Sequence, residues 1–223
     1  MPVFVKFIIL ILVCYFIGNV NFSILISKLK KSDIRLHGSG NPGTMNMTRT
    51  FGFKIGILVL ALDMLKGVVS ALIGFYLLKE NSLEFTGLFV GGFSAVVGHI
   101  FPVLYKFKGG KGIATTLGVF LVCEPVLFWV FLLAGLMYLL IFEFGSVASL
   151  FIVAGCVCLE AIRFKGNLQI LLLLYSLFLL TWWAHRTNIY KLLIGTENKV
   201  KLIKRKQVKK YKQIEKLTEL NNN

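Results

Sequence analysis

The feature that most constrains this chain is a series of continuous apolar runs, Val3 to Ile26, Ile55 to Leu78, Phe85 to Leu104, a long one from Leu117 to Ile162, and Leu168 to Ala184. At 1.5 Å per residue, about 20 apolar residues cross a hydrocarbon layer of about 30 Å, and these runs lack the polar stripe of a soluble helix. With 57% of 223 residues hydrophobic and 16% charged, there is too little polar surface to cover a soluble core. The chain is therefore expected to be all-α, a polytopic integral membrane helical bundle of five to seven transmembrane helices. Only Lys6 precedes the first long run, and no small-residue cleavage site follows it, so Met1 to Ile26 reads as a first span rather than a removed signal.

A net charge of +15 raises the possibility of nucleic acid, but the cations lie in the connections and the tail of a lipid-soluble chain. The positive-inside rule explains them without nucleic acid. Ser27 to Lys54 carries six Lys or Arg residues against Asp33 alone, Tyr105 to Thr116 carries Lys106, Lys108 and Lys111 against no acid, and the segment after Ala184 is strongly basic. All three are expected in the cytoplasm, with the Lys79 to Glu84 turn on the opposite side and an extracytoplasmic N-terminus. A chain that leaves the cytoplasm at Thr116 and returns by His185 crosses an even number of times. Breaks at Glu124-Pro125, Gly135, Glu143 to Gly145 and Arg163 to Asn167 favour four crossings by short helices, or two plus a partial hairpin. Arg163 and Lys165 then lie on the outer side, against the charge rule. The expected units are a membrane domain, residues 1–199, and a basic cytoplasmic tail, residues 200–223, drawn to anionic membrane lipids.

Three polar connections carry residues suited to chemistry. In the first, Gly38, Gly40 and Gly43 tolerate positive φ and let backbone N–H groups converge on an anion, while Ser39, Asn41, Asn46 and Arg49 add donors. The second runs from Gly98-His99 to Thr115 and surrounds Lys111 with Gly109, Gly110 and Gly112 where a helix should begin, the components of a phosphate cradle with Lys108 beside it. It is not a Walker A loop, because Gly112 stands where Ser or Thr is required. In the third, His185 and Asn188 share a helix face at i, i+3 and can address a hydroxyl or phosphate oxygen, and Glu197 is expected to pair with a nearby cation. Asp63 and Lys66, also i, i+3, are expected to neutralise each other within the second span. Cys14, Cys123, Cys156 and Cys158 lie in apolar runs without zinc-site spacing, and the basic loops hold almost no carboxylates, so no metal is expected.

The Gly38-Ser39-Gly40-Asn41-Pro42-Gly43 run, the Gly98-His99 to Gly112 run, and His185-Arg186-Thr187-Asn188 through Gly195-Thr196-Glu197 resemble, in order and context, the three motifs of the bacterial acyl-phosphate-dependent glycerol-3-phosphate acyltransferases. Asp63 to Gly67 and Ser146 to Ser149 are similar to that family as well. The resemblance implies transfer of an acyl group from acyl phosphate to the 1-hydroxyl of sn-glycerol 3-phosphate, giving lysophosphatidic acid, the first step of phospholipid biosynthesis, in a bacterial cell membrane with the active site facing the cytoplasm. It implies catalytic roles for Ser39, Arg49, Lys111, His185 and Asn188. Substrate or phosphate contacts follow for Gly38, Gly40, Asn41, Asn46, His99, Lys108, Gly109, Gly110, Gly112 and Thr115, and structural roles for Asp63, Lys66 and Glu197. No cofactor is implied. Departures are Thr44-Met45, where the family commonly shows Ala-Thr, and Lys191, where Arg is usual.

The His-x4-Asp pair of other glycerol phosphate acyltransferases is missing: Pro42, Leu104 and Tyr190 stand five residues after His37, His99 and His185. An acyl phosphate already carries a good leaving group, so positioning and charge stabilisation can suffice, with an acyl-Ser39 intermediate as the alternative. A transporter or channel for an anionic metabolite is the main rival, since basic loops and broken helices serve that role too.

Overall fold

A computed structural model of the chain describes residues 1–200, in which there are ten α-helices and no strand. They are α1 (Val3–Asn19), α2 (Phe22–Leu29), α3 (Thr44–Phe51), α4 (Phe53–Leu78), α5 (Glu84–Ile100), α6 (Ile113–Cys123), α7 (Pro125–Phe142), α8 (Gly145–Arg163), α9 (Leu168–Ala184) and α10 (Arg186–Leu193). Five segments are long and apolar enough to cross a membrane, or six when α9 and α10, bent by 54°, count as one broken span.

The centre of the bundle is α5, which packs against both α1 and α4 through small residues. A Cβ at Gly74 would collide with the Gly87 backbone, one at Gly91 with Ser70 O, one at Gly18 with Ala95 O, and one at Gly98 with Tyr15 O. In lipid there is no hydrophobic drive between helices, so such backbone contact, with its dense dispersion and few voids, supplies the association. Likewise α6 meets α4 where Gly118 faces Met64 O and Gly67 faces Thr115 O.

Polar contacts mark one end of the bundle. There Lys6 Nζ donates to Asn81 Oδ1 at 2.8 Å, tying the start of α1 to the α4–α5 turn. The same end holds Arg163, whose guanidinium meets Glu124 at 2.9 Å and Glu160 at 3.7 Å and lies over the Phe85 and Phe164 rings. These partners answer the charge that looked out of place in the sequence. At the other end are the α1–α2 break, residues 30–52, residues 101–112, the α7–α8 corner and residues 185–200. Between Thr116 and His185 the chain runs four times between these ends, the four-crossing alternative; α6, with 11 residues or about 16 Å, covers about half the hydrocarbon thickness.

The first run is one candidate span, as expected, built from two helices: the chain is extended at Val20, and Asn21 restarts it by accepting the Ile24 N–H at 3.0 Å. Two expectations need correction. Gly135 does not break its run but sits inside α7, where the missing Cβ admits the Ile152 side chain. Val200, assigned to the tail, is buried with Leu139 and Ala148 and donates its N–H to Glu143 O at 2.8 Å, so the packed unit extends past Lys199. The rest of the tail, residues 201–223, lies outside the described residues.

Candidate active site

The second end of the bundle encloses a cavity of about 830 Å³ that all three polar connections line, together with an apolar cleft between α4, α6, α7 and α8. Ser39, Gly40, Asn41, Asn46, Arg49, Asp63, His99, Lys108, Gly109, Gly110, Lys111, Gly112, His185, Asn188 and Glu197 all contribute to its wall. Gly38, Lys66 and Thr115 do not. Thr115 is wholly buried in the first turn of α6 with its carbonyl against Gly67 on α4, whereas Lys111 precedes the helix and is set off from its faces by the turn at Gly112, φ 80°.

In the first connection Gly38 and Gly40 take φ of 57° and 72°, the left-handed turn expected of them. Asn46 is the staple of this loop. Its Oδ1 accepts the Ser39 N–H at 3.1 Å and its Nδ2 donates to Ile34 O and His37 O at 3.2 and 2.8 Å, so the buried amide is committed to shaping the loop. Ser39 stays exposed beside it. Arg49 projects from the last turn of α3, and its Nη2 donates to Asn198 O at 3.1 Å across the cavity mouth.

The glycine loop departs from a cradle in which every glycine offers its amide. The Gly109 and Gly110 N–H groups are already paired, with Ile100 O at 3.2 Å and His99 O at 3.1 Å. These two glycines are required for close approach: a Cβ at either would run into His99, its carbonyl at Gly109 and its ring at Gly110. The unpaired donors lie one step on. Gly112, at φ 80°, turns the chain into α6, and among the described residues no acceptor takes the N–H groups of Lys111 to Ala114. A helix N-terminus with a lysine at its lip is an anion site by geometry and by dipole.

Lys111 Nζ donates to Asn188 Oδ1, which links the second and third connections. Burial pushes its pKa down to about 8, with Glu197 opposing and Arg49 and Lys191 adding repulsion. Burial also lowers the pKa of Arg49, and Glu197 again opposes. Among the described residues Glu197 forms no direct ion pair with a cation. Its Oε1 accepts from Asn188 Nδ2 at 2.6 Å and from Ser146 Oγ at 3.1 Å, so it fastens α10 to the start of α8 and acts on the cations through space. Arg49, Lys111 and Lys191 thus converge around one carboxylate, leaving a surplus of positive charge that an anion would neutralise.

His185 closes the site at the α9–α10 bend. Its Nδ1 lies 2.8 Å from Thr181 O, and a carbonyl only accepts, so the neutral ring carries its hydrogen there and Nε2 is an acceptor. Ser146, Ser149, Lys191 and Asn198 also line the cavity and were not among the expected site residues. The serines had a signal, an i, i+3 pair just after the helix start at Gly145; Asn198 contributes a backbone carbonyl and had none.

The Glycerol-3-phosphate acyltransferase family profile matches residues 8–195. Glycerol-3-phosphate acyltransferase of Finegoldia magna is 41% identical over 199 residues, covering 86% of this chain and 96% of the relative. That of Thermoanaerobacter pseudethanolicus is 40% identical over 190 residues, covering 85% and 93%. The crystal structure of PlsY (YgiH), an integral membrane glycerol 3-phosphate acyltransferase, in its glycerol 3-phosphate form superposes with a TM-score of 0.79 at 35% identity, covering 86% of this chain and 94% of that one. Its lysophosphatidic acid form gives a TM-score of 0.76. The membrane fold, the three connections on one cavity and these similarities together show that the chain belongs to the glycerol-3-phosphate acyltransferase family.

Proposed function

We propose that this enzyme transfers an acyl group from acyl phosphate to the 1-hydroxyl of sn-glycerol 3-phosphate, at a site facing the cytoplasm of a bacterial cell membrane. The observation that carries this reading is a cationic pocket continuous with an apolar cleft between membrane helices, the shape of a site for one water-soluble and one lipid-borne phosphate. The amides at the start of α6, Lys111 and Arg49 hold the phosphates, and Lys191 adds to their field. The cleft walled by Leu132, Leu136, Leu139 and Ile152 receives the acyl chain. Two substrates held together react as if at very high local concentration.

In the step itself the glycerol 1-oxygen attacks the acyl carbonyl carbon, the bond from that carbon to the phosphate oxygen breaks, and inorganic phosphate leaves. His185 Nε2 accepts a hydrogen bond from the attacking hydroxyl and aims it, and its proton passes to this nitrogen or to a phosphate oxygen. Lys111 and Arg49 stabilise the charge that grows on the departing phosphate. The donors are ammonium, guanidinium and amide groups, which suit oxyanions rather than a divalent cation, so the reaction as proposed needs no metal or cofactor.

The test is product formation by detergent-purified protein with acyl phosphate or acyl-CoA as labelled donor. Lysophosphatidic acid from acyl phosphate alone is expected; no product from either donor would favour an anion transporter. For sidedness, single cysteines at Thr44, Ile113 and Thr187 in a Cys-free variant should be labelled only from the cytoplasm. Labelling of any one only from outside would refute that placement.

A further inference from the structure

The break between α1 and α2 frees the carbonyls of the last turn of α1, which no longer have partners within the helix. Lys66 of α4 reaches them, its Nζ lying 3.2 Å from Gly18 O and 2.8 Å from Val20 O. The same nitrogen is 2.8 Å from Asp63 Oδ1 and 2.7 Å from His99 Nδ1. Three hydrogen-bond acceptors, Gly18 O, Val20 O and His99 Nδ1, therefore match the three N–H bonds of a group that is itself no acceptor, with the Asp63 carboxylate as its counter-ion. Mutual neutralisation would need Asp63 alone; the added imidazole calls for a different explanation.

We propose that Lys66 is a positioning residue for phosphate recognition: its ammonium, anchored by Asp63 and the α1 carbonyls, donates to His99 Nδ1 and fixes the ring tautomer whose Nε2–H faces the glycine loop. An ammonium beside Nδ1 permits only that tautomer, with the hydrogen on Nε2. That nitrogen looks onto Gly110, where any Cβ would strike it, and His99 lines the cavity. Among the described residues no acceptor takes the Nε2–H, while the His99 carbonyl holds the Gly110 N–H at 3.1 Å. The ring is thus a prepared donor with its back locked to α4 and its front open to a phosphate oxygen. His185 carries the opposite tautomer, so the two histidines divide donor and acceptor roles between them. The inference rests on the reading of the α6 N-terminus as the phosphate site.

The experiment is nitrogen-15 NMR of imidazole-labelled protein in nanodiscs, with His99 assigned through His99→Gln. Without substrate, His99 should be protonated at Nε2 only, and adding glycerol 3-phosphate or a non-hydrolysable acyl phosphonate should shift that N–H; the ligand that shifts it identifies the phosphate held. Lys66→Met should release the tautomer and raise the KM of the same substrate about tenfold or more, the effect of one hydrogen bond to a charged group, while kcat changes less than about threefold. In a His99→Gln background Lys66→Met should add nothing to KM. A wild-type ring protonated at Nδ1, no response to either ligand, or unchanged KM values in folded Lys66→Met would overturn the proposal. If Lys66→Met does not fold, the wild-type spectra still decide. A merely structural lysine would lower yield and leave tautomer and KM untouched. Failure of the acyltransferase reading would show instead as absence of product from wild-type protein, whatever the spectra.

Discussion

The charge on Lys111 should set the alkaline limb of activity. A lysine ordinarily titrates near 10.5; burial pulls this one to about 8, Glu197 opposes, and Arg49 and Lys191 push further down. The charged form binds phosphate, so kcat/KM for glycerol 3-phosphate should be level at pH 7, about half-maximal near pH 8, and down about tenfold at pH 9, since one pH unit past a pKa leaves roughly a tenth of the group charged. The substrate's phosphate loses its second proton near pH 6, so its own charge is constant over this range. A bound dianion favours the ammonium, which places the limb in kcat at higher pH than the limb in kcat/KM. Glu197→Gln removes the opposing charge and should move the limb toward acid. Lys111→Arg, charged beyond pH 12, should abolish the limb while losing about tenfold at pH 7, because a fork cannot replace an ammonium against Asn188. The assay is initial rate from pH 6 to 10 with subsaturating glycerol 3-phosphate and protein monodispersity followed in parallel. A wild-type profile flat to pH 10, or the same limb in Lys111→Arg, would refute the reasoning.

Arg49→Ala should cost on the order of 2–4 kcal/mol in transition-state stabilisation, roughly 30- to 1000-fold in rate, and Arg49→Lys should rescue little, since an ammonium lacks the bidentate fork; steady-state rates check both, with Lys204→Ala in the tail as a silent control. Truncation after Leu202 should leave activity and melting temperature near wild type. Truncation after Lys199 removes the buried Val200, worth about 1.5 kcal/mol or more, and should lower the melting temperature by several degrees in a thermal-shift assay. No covalent acyl-enzyme should accumulate, because among the described residues no base is hydrogen-bonded to the Ser39 hydroxyl and Asn46 holds its backbone N–H; intact mass after incubation with acyl phosphate alone should be unchanged, and an added acyl mass that disappears in Ser39→Ala would establish the alternative.

Much of the fold was legible because membrane depth imposes a simple rule: a run that is apolar all round must be a helix, and charge must leave the hydrocarbon. A range of five to seven spans, the corners at Glu124-Pro125 and Glu143 to Gly145, and the gathering of three polar connections at one end followed from that rule, while the choice between four crossings and two plus a partial hairpin did not. The pairing of Asp63 with Lys66 followed from i, i+3 spacing alone, now seen at 2.8 Å. Residue types together with the family resemblance marked Arg49, Lys111, His185 and Asn188, and all four line the cavity.

Tertiary contact decided what spacing could not. The first run breaks at Val20 because a lysine from α4 is available to take the freed carbonyls, and nothing in Val3 to Ile26 records that partner. Gly135 continues a helix rather than ending one because Ile152 fills the space it leaves. Gly109 and Gly110 proved to be points of close approach to His99, their amides used against the end of α5, while the free donors moved to the start of α6. The local sequence determines which groups are polar and where a helix can begin. Which donors remain unpaired, which tautomer a histidine holds and how far burial lowers a lysine pKa depend on atoms contributed by other helices, and only the packed bundle brings them within reach.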